Sequence, residues 1–168
     1  ATSMENASLY DAAADAFRIV KRFNSLAVDI EEDHAGNVWF ATQGGGLWKL
    51  SAKGQWRQYT CHTASIGNDN INCVREGFGG HLYVATDNGL YEYRPATDSF
   101  KRIKIDSDDQ AFMGLVFNDD ELWLSSVSEL IKLVPGERTE IYNRYDGLLD
   151  GPARPNACMM ASDGRVWM

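Results

Sequence analysis

The 168-residue sequence has little of what marks several common classes of protein. Its three cysteines are an odd number without any C-x-x-C spacing, so they predict neither a disulfide framework nor a zinc site. One alternative stays open, a single Cys61–Cys73 bridge in an oxidising compartment. No stretch approaches the roughly 20 apolar residues of a membrane-spanning helix. The N-terminus lacks the basic region and apolar run of a signal peptide. We therefore expect no membrane contact by this segment, and either a cytosolic location or targeting parts that belong to a longer parent and lie outside this sequence.

Groups that carry chemistry are also sparse. The three histidines, His34, His62 and His81, do not recur at equivalent positions, so they predict turn residues rather than a metal site or a catalytic base. The sequence contains no G-x-S-x-G elbow, no calcium-loop spacing and no phosphate-binding glycine loop. The formal charge of -8 disfavours nucleic acid as a partner. We therefore predict no catalytic residue, no cofactor and no metal.

What the sequence does contain is a repeated hairpin. The phrase GNVWFAT returns, altered, as GHLYVAT, DELWLSS and GRVWM, and the aromatic residues are spaced by 44, 40 and 44 positions. A hydroxyl follows three positions after the first three aromatics. The predicted structural repeat positions are Trp39, Tyr83, Trp123 and Trp167 for the aromatic, and Thr42, Thr86 and Ser126 for the hydroxyl.

Each repeat holds about four short segments of alternating apolar and polar residues, separated by Gly, Asp or Asn. This period of two is typical of half-buried strands. A period of about 40–44 residues with four strands per unit predicts an all-β fold, a partial β-propeller of four-stranded antiparallel blades. One blade cannot bury its own faces, so we expect the repeated aromatics to be buried between neighbouring blades.

The repeat also predicts how the chain is divided. Residues 9–22 match the two outer strands of a preceding blade, and this match outweighs a weak helical pattern in the same region. Three whole blades follow at 23–66, 67–107 and 108–150, and 151–168 supplies the inner strands of a further blade. The segment is thus expected to be one part, 1–168, of a longer propeller. We expect its open blade faces to be covered by the rest of the parent propeller and, in the isolated segment, by self-association. The alternative is a four-bladed ring, closed when the end strands near Val166 pair with the starting strands near Leu9 of the same chain.

Residues 30–50, IEEDHAGNVWFATQGGGLWKL, resemble the repeat of two-component regulator propellers. Its pattern is E-D-x-x-G-x-[LI]-W-[IF]-G-T followed by a Gly-Leu turn, with Ala41 here in place of the usual glycine. Residues 74–93 and the stretch from Tyr145 onward are also similar to the family. These propellers form the periplasmic sensor region of hybrid two-component histidine kinases, which typically sense oligosaccharides and control polysaccharide use through a phosphorelay. The resemblance implies a periplasmic, non-enzymatic sensing segment of an inner-membrane parent.

Two other functions stay open beside this one: a propeller enzyme of the lyase or lactonase type, and a protein-interaction propeller. The enzyme would need His, Asp or Glu side chains converging on the central channel from several blades, and the scattered histidines count against it. For a sensor, an oligosaccharide is the expected ligand, because aromatic faces stack on sugar rings. The candidate ligand-binding aromatics, which the repeat constrains least, are Trp48, Trp56, Tyr59 and Tyr142.

Overall fold

The computed structural model describes residues 2–3, 5–118, 120–136, 139–148 and 154–167. These residues form antiparallel sheets, and the two helical segments among them are single 3-10 turns, Phe78–Gly80 and Arg144–Asp146. A leading sheet is followed by three four-stranded sheets and a final hairpin. The predicted partial β-propeller of four-stranded antiparallel blades is confirmed.

The leading sheet and the final hairpin stand at the two ends of the described chain. The leading sheet has the order β1-β2-β3, and its strands are β1 (Thr2–Ser3), β2 (Asn6–Asp11) and β3 (Ala16–Arg22). Strands therefore occupy the region with the weak helical pattern. The final hairpin pairs β16 (Met159–Met160) with β17 (Val166–Trp167).

Between them lie three meanders in which each strand pairs with the next one along the chain. The first blade consists of β4 (Leu26–Glu32), β5 (Val38–Gln43), β6 (Leu47–Leu50) and β7 (Trp56–Tyr59). The second consists of β8 (Ile71–Glu76), β9 (Leu82–Thr86), β10 (Gly89–Arg94) and β11 (Ser99–Ile103). The third consists of β12 (Phe112–Asn118), β13 (Glu121–Ser126), β14 (Leu130–Leu133) and β15 (Glu140–Tyr142). The exact blade boundaries drawn from the repeat stay a prediction.

The first strand of each blade is its inner strand. Strand β4 contacts β8, β8 contacts β12, and β12 contacts β16, so these strands converge while the later strands of each blade diverge. Each inner strand also carries a register shift at the same place, between Ala27 and Asp29, between Ile71 and Cys73, and between Phe112 and Gly114. A bulge of this kind bends a strand and redirects the neighbouring side chain.

The recurring hydroxyl closes a turn in each blade. Each hydroxyl donates to a main-chain carbonyl just across the following turn: Thr42 to Gly46 (2.6 Å), Thr86 to Gly89 (3.0 Å) and Ser126 to Glu129 (3.2 Å). At Gly46 the backbone has φ +71°, and a Cβ there would collide with the carbonyl oxygen of Tyr59. This position therefore requires glycine for both conformation and space.

The repeated aromatics are buried only where a following blade covers them. Trp39 is fully buried and its ring lies 4.8 Å from that of Tyr93 in the second blade. Tyr83 is buried at 5.0 Å from Phe117 of the third blade. Trp123 is only partly buried, and Trp167 is 55% exposed. The expectation that all the repeated aromatics are buried is therefore wrong for Trp167, which no further blade covers in the described residues. Trp123 is less completely buried than Trp39, because only a two-stranded hairpin follows its blade in the described residues.

Candidate functional site: a polar cluster on the inner strands

Two of the four candidate aromatics pack between the leading sheet and the first blade. The rings of Trp48 and Trp56 lie 6.0 and 6.2 Å from that of Phe23. The ammonium group of Lys21 lies 4.0 Å from the Trp48 ring centroid. In the described part of the chain, Trp48 Nε1 is the one buried side-chain nitrogen or oxygen without a hydrogen-bond partner. These contacts make both side chains part of the packing between two sheets.

The other two candidates lie elsewhere. Tyr59 is 2% exposed, and its hydroxyl donates to Asp98 Oδ1 at 2.6 Å. Tyr142 stacks on Trp123 at 6.0 Å, and its hydroxyl donates to Glu140 at 2.6 Å. The structure therefore divides the four aromatics among three separate locations, and they do not form a common binding surface.

A polar cluster instead forms where the inner strands converge, centred on Asp29. This side chain is 6% exposed. Its Oδ2 accepts hydrogen bonds from Val74 N (2.9 Å) and Arg75 Nη1 (2.6 Å), and its Oδ1 accepts from Asn156 Nδ2 (2.7 Å). One buried carboxylate thus joins β4 of the first blade, β8 of the second blade and the segment that leads into the final hairpin.

The bulge in β4 explains why Asp29 can point inward. Asp29 pairs with Ala41 directly after the register shift, and the equivalent residues of the next two blades are Cys73 and Gly114. A buried carboxylate is tolerated only if it is paired and hydrogen-bonded. The guanidinium of Arg75 and the neighbouring N–H donors supply that compensation. The carboxylate charge of Asp29 is therefore paired with Arg75 and hydrogen-bonded through both of its oxygens.

Partly exposed groups surround this buried centre. Arg75 keeps about 25% of its side chain exposed, and its Nη1 lies 3.8 Å from Glu31 Oε2. Glu31 Oε1 accepts from the main-chain nitrogen of Glu76 at 3.0 Å. Burial is the largest influence on Glu31 and raises its pKa, although the Glu76 N–H and the Arg75 charge oppose that rise. Arg75 and Glu31 can therefore meet a ligand from solvent.

A histidine extends the cluster to the surface. His34 Nδ1 lies 2.5 Å from Glu76 Oε1, and the His34 main-chain nitrogen donates to Glu76 Oε2 at 2.6 Å. The His34 side chain is 69% exposed, whereas Glu76 is 20% exposed. His81 pairs with Glu92 instead, and His62 lies in the connection between the first two blades. The three histidines therefore do not converge within the described residues.

The cysteines near this cluster are not suited to nucleophilic chemistry. All three cysteines are free, so the alternative of a Cys61–Cys73 bridge is wrong. Burial raises the pKa of Cys73 well above its usual value, and it also raises the pKa of Cys158. A thiol that stays protonated is a poor nucleophile. The cluster offers carboxylates, a guanidinium, an amide and an imidazole, which together suit a ligand rich in hydroxyl groups.

Comparison with known proteins supports the fold. No protein-family model matches the sequence, and neither does any curated protein. The extracellular domain of the hybrid two-component system BT3049 of B. thetaiotaomicron is similar in structure, with a TM-score of 0.72, 16% identity, and coverage of 88% of this chain and 22% of that one. The extracellular domain of BT4673 from the same organism has a TM-score of 0.69 at 16% identity, covering 98% of this chain and 22% of that one.

A streptogramin B lyase is also similar, with a TM-score of 0.65 and 16% identity over 98% of this chain and 61% of the lyase. At these identities the likeness concerns the fold alone. The chain spans about a fifth of the length of these two extracellular domains. In the described residues no helix is both long and apolar enough to cross a membrane. The fold is thus one that extracellular domains of two-component systems use, and one that an enzyme also uses.

Sequence reasoning did not identify Asp29, Arg75 and Asn156. Arg75 lies 46 positions after Asp29, and Asn156 lies 81 positions after Arg75 and 127 positions after Asp29. None of the three is part of the repeated pattern. The available signal was weak. Arg75 stands on the second inner strand where Glu31 stands on the first, since both pair with the repeated aromatic of the next strand.

Proposed function

We propose that this chain is a ligand-sensing part of the extracytoplasmic propeller of a two-component sensor histidine kinase. Its ligand is an oligosaccharide, and it binds at the inner-strand cluster. The observation that carries the proposal is the partly exposed set of Arg75, Glu31 and Glu76 around the buried Asp29. Such side chains donate to and accept from sugar hydroxyls, and hydrogen bonds to charged groups contribute more than neutral ones. The shared fold of the extracellular sensor domains supports the same function.

The kinase, the phosphorelay and the control of polysaccharide use belong, in this proposal, to other parts of a longer parent protein in the inner membrane, with this segment in the periplasm. The cluster gives a route by which binding could reach them. Asp29 connects three converging strands, so a ligand that competes for Arg75 or Asn156 alters how the blades are held together. A ligand shifts such an equilibrium only through its different affinity for the two arrangements.

The test is isothermal titration of the chain with a panel of neutral and acidic oligosaccharides, repeated on the full-length parent. For a sugar that binds, Glu31→Gln is expected to weaken affinity about tenfold or more, because it removes a charged hydrogen-bond acceptor with almost no change in shape. Glu32→Gln is the matched control. Glu32 is the next residue of β4, is exposed and lies on the opposite face of the strand. The affinity of the Glu32→Gln variant for the sugar should therefore stay within about twofold of the wild-type value. Equal effects of the two changes would contradict the proposed site.

The lyase among the similar structures favours a second candidate, an elimination or ring-opening enzyme that uses His34 and Glu76. The two groups are in contact, and one of them is mostly exposed. Incubation of the panel with the protein, followed by mass spectrometry, distinguishes the two functions. A sensing segment returns every sugar unchanged. Turnover that His34→Gln abolishes would support the enzyme instead.

A further inference from the structure

The connection between β7 and β8, residues 60–70, brings together three side chains that commonly bind metal ions. The thiol of Cys61, the imidazole of His62 and the carboxylate of Asp69 have donor atoms within 4.8 Å of one another. No other group of three or more such side chains is this close in the described part of the chain. Cys61 and His62 are exposed and Asp69 is partly exposed, so an ion can reach all three without unfolding the blade.

The main chain fixes one side of this group. The carbonyl oxygen of Asp69 accepts from Gly44 N (3.1 Å) and Gly46 N (2.9 Å) in the turn between β5 and β6. Cys61 N donates to Asp69 Oδ1 at 2.7 Å, which holds the carboxylate in place. The other oxygen, Oδ2, then faces the Cys61 sulfur at 3.4 Å. The carboxylate is therefore oriented before any ion binds.

The other side is fixed by a turn and a docking contact. The carbonyl oxygen of Thr60 accepts from Thr63 N (3.1 Å) and Ala64 N (2.9 Å), which places Cys61 and His62 within a hydrogen-bonded turn. Ser65 Oγ donates to the carbonyl oxygen of Phe100 in the second blade (2.8 Å), and the adjacent Ile66 is buried. The backbone around the three side chains is thus anchored to both blades.

The donor set and its spacing suit one class of ion. Zinc bonds of about 2.3 Å to sulfur and 2.0–2.2 Å to oxygen or nitrogen, in tetrahedral geometry, separate the ligand atoms by roughly 3.5 Å. The Cys61–Asp69 separation of 3.4 Å already has that value. The donor nitrogen of His62 lies within 4.8 Å of the other two donor atoms, and its side chain is exposed, so it has room to approach an ion. Thiolate and imidazole ligands select zinc-like ions over magnesium and calcium, which prefer oxygen.

We propose that Cys61, His62 and Asp69 bind a zinc-class divalent transition-metal ion. Three protein ligands leave a fourth position open to water or to an external ligand. The bound ion links the β5–β6 turn, through Asp69, to the start of the β7–β8 connection. Because the folded chain holds the three donor atoms together, it binds the ion more tightly than the unfolded chain does, and the melting temperature rises as the ion concentration exceeds its dissociation constant.

The first experiment is isothermal titration of the chelator-treated chain with zinc chloride and, in parallel, with magnesium chloride. One zinc ion per chain is expected, with no comparable magnesium binding. Cys61→Ser and His62→Gln should each weaken zinc binding at least about tenfold, since loss of even an outer-shell partner commonly costs 10–100-fold. His81→Gln is the matched control, because His81 lies outside the connection, beside Glu92. It should leave the affinity unchanged.

The second experiment identifies the sulfur ligand directly. Cobalt(II) bound to the chain should give the near-ultraviolet thiolate-to-cobalt charge-transfer absorption. Cys61→Ser should abolish it, whereas Cys158→Ser should not. Circular dichroism of each variant shows whether it is folded. Equal zinc affinity in the wild type and in both ligand variants, or a cobalt complex without the thiolate band, would overturn the proposal.

Discussion

Trp39 offers the strongest test of how the blades hold together. Its side chain is fully buried between the first and second blades. The ring stacks on Tyr59 at 5.8 Å, meets Tyr93 edge-on at 4.8 Å, and has the Lys49 ammonium 4.8 Å from its centroid. Its Nε1 donates to Asp33 Oδ2 at 2.8 Å. Replacement by alanine removes all of these contacts together.

The cost follows from those contacts. Removal of a fully buried tryptophan leaves a cavity and typically costs 3–5 kcal/mol, so we expect Trp39→Ala to lose about 4 kcal/mol of unfolding free energy. Trp39→Phe keeps one aromatic ring in the site but loses the hydrogen bond to Asp33 and part of the packing, which predicts roughly 2 kcal/mol. For a chain of this size, 4 kcal/mol corresponds to a fall in melting temperature of roughly 8–16 °C.

Trp123→Ala serves as the matched control. The same repeat position is only partly buried here, and its ring stacks on Tyr142 of its own blade. We expect a loss of roughly 1–2 kcal/mol. The assay is urea unfolding followed by far-ultraviolet circular dichroism, with equal m-values required for the comparison. If Trp39→Ala costs no more than Trp123→Ala, the reasoning that the following blade sets the burial is refuted.

Acid should reveal the Asp33 part of this interaction. Burial by itself would raise the pKa of Asp33, but hydrogen bonds from Trp39 and Asn37 outweigh it and hold that pKa below its ordinary 3.8. A lowered folded-state pKa contributes stability above the ordinary value, and that stability is lost as pH falls through the folded value. The difference between wild type and Trp39→Phe should therefore be largest above about pH 4 and should shrink below it.

Three further predictions concern a turn, a tyrosine and a surface. Gly46→Ala should destabilise the chain at least twice as much as Gly54→Ala in urea unfolding, because both have positive φ but only Gly46 also lacks room for a Cβ. Burial, and next the Asp98 hydrogen bond, raise the pKa of Tyr93 to about 12. Its stabilisation is complete below the ordinary value of 10.0 and is lost as pH rises through about 12, so Tyr93→Phe should flatten the alkaline limb of a pH–stability curve. Phe17 on the leading sheet is 66% exposed, and another copy of the chain could cover it. In that case the mass from light scattering should rise with protein concentration, and Phe17→Asp should prevent the rise. A constant monomer mass would rule out self-association.

The fold was accessible from the sequence because its signals are local. A strand, a glycine turn and a second strand lie within about 20 residues, and alignment on the aromatic recovers the true pairing. Trp39 pairs with Glu31, Tyr83 with Arg75, and Trp123 with Val116. Burial was less accessible, because it depends on what the next blade places opposite each ring. The incomplete burial of Trp123 and the exposure of Trp167 are the result.

The two candidate sites were not accessible for different reasons. Asp29 and Asn156 lie 127 positions apart and meet only because the inner strands converge. Cys61, His62 and Asp69 are close in sequence, but a search for paired cysteines does not examine a cysteine next to a histidine. A search for mixed ligands in the longest connection between complete blades would have found them.

The repeat itself indicates where function should be sought. Every copy needs an aromatic that packs on the neighbouring blade and a hydroxyl that closes a turn within its own blade, so both positions recur. The inner-strand position opposite the aromatic has no such constraint, and it reads Glu31, Arg75, Val116 and Met159 along the chain. Glu31 and Arg75 form an oppositely charged pair at two of these positions, and Arg75 also compensates the buried Asp29. Partial burial of these charges costs desolvation that apolar side chains would avoid. Binding of a polar ligand is a reason for a chain to retain that cost at its inner strands.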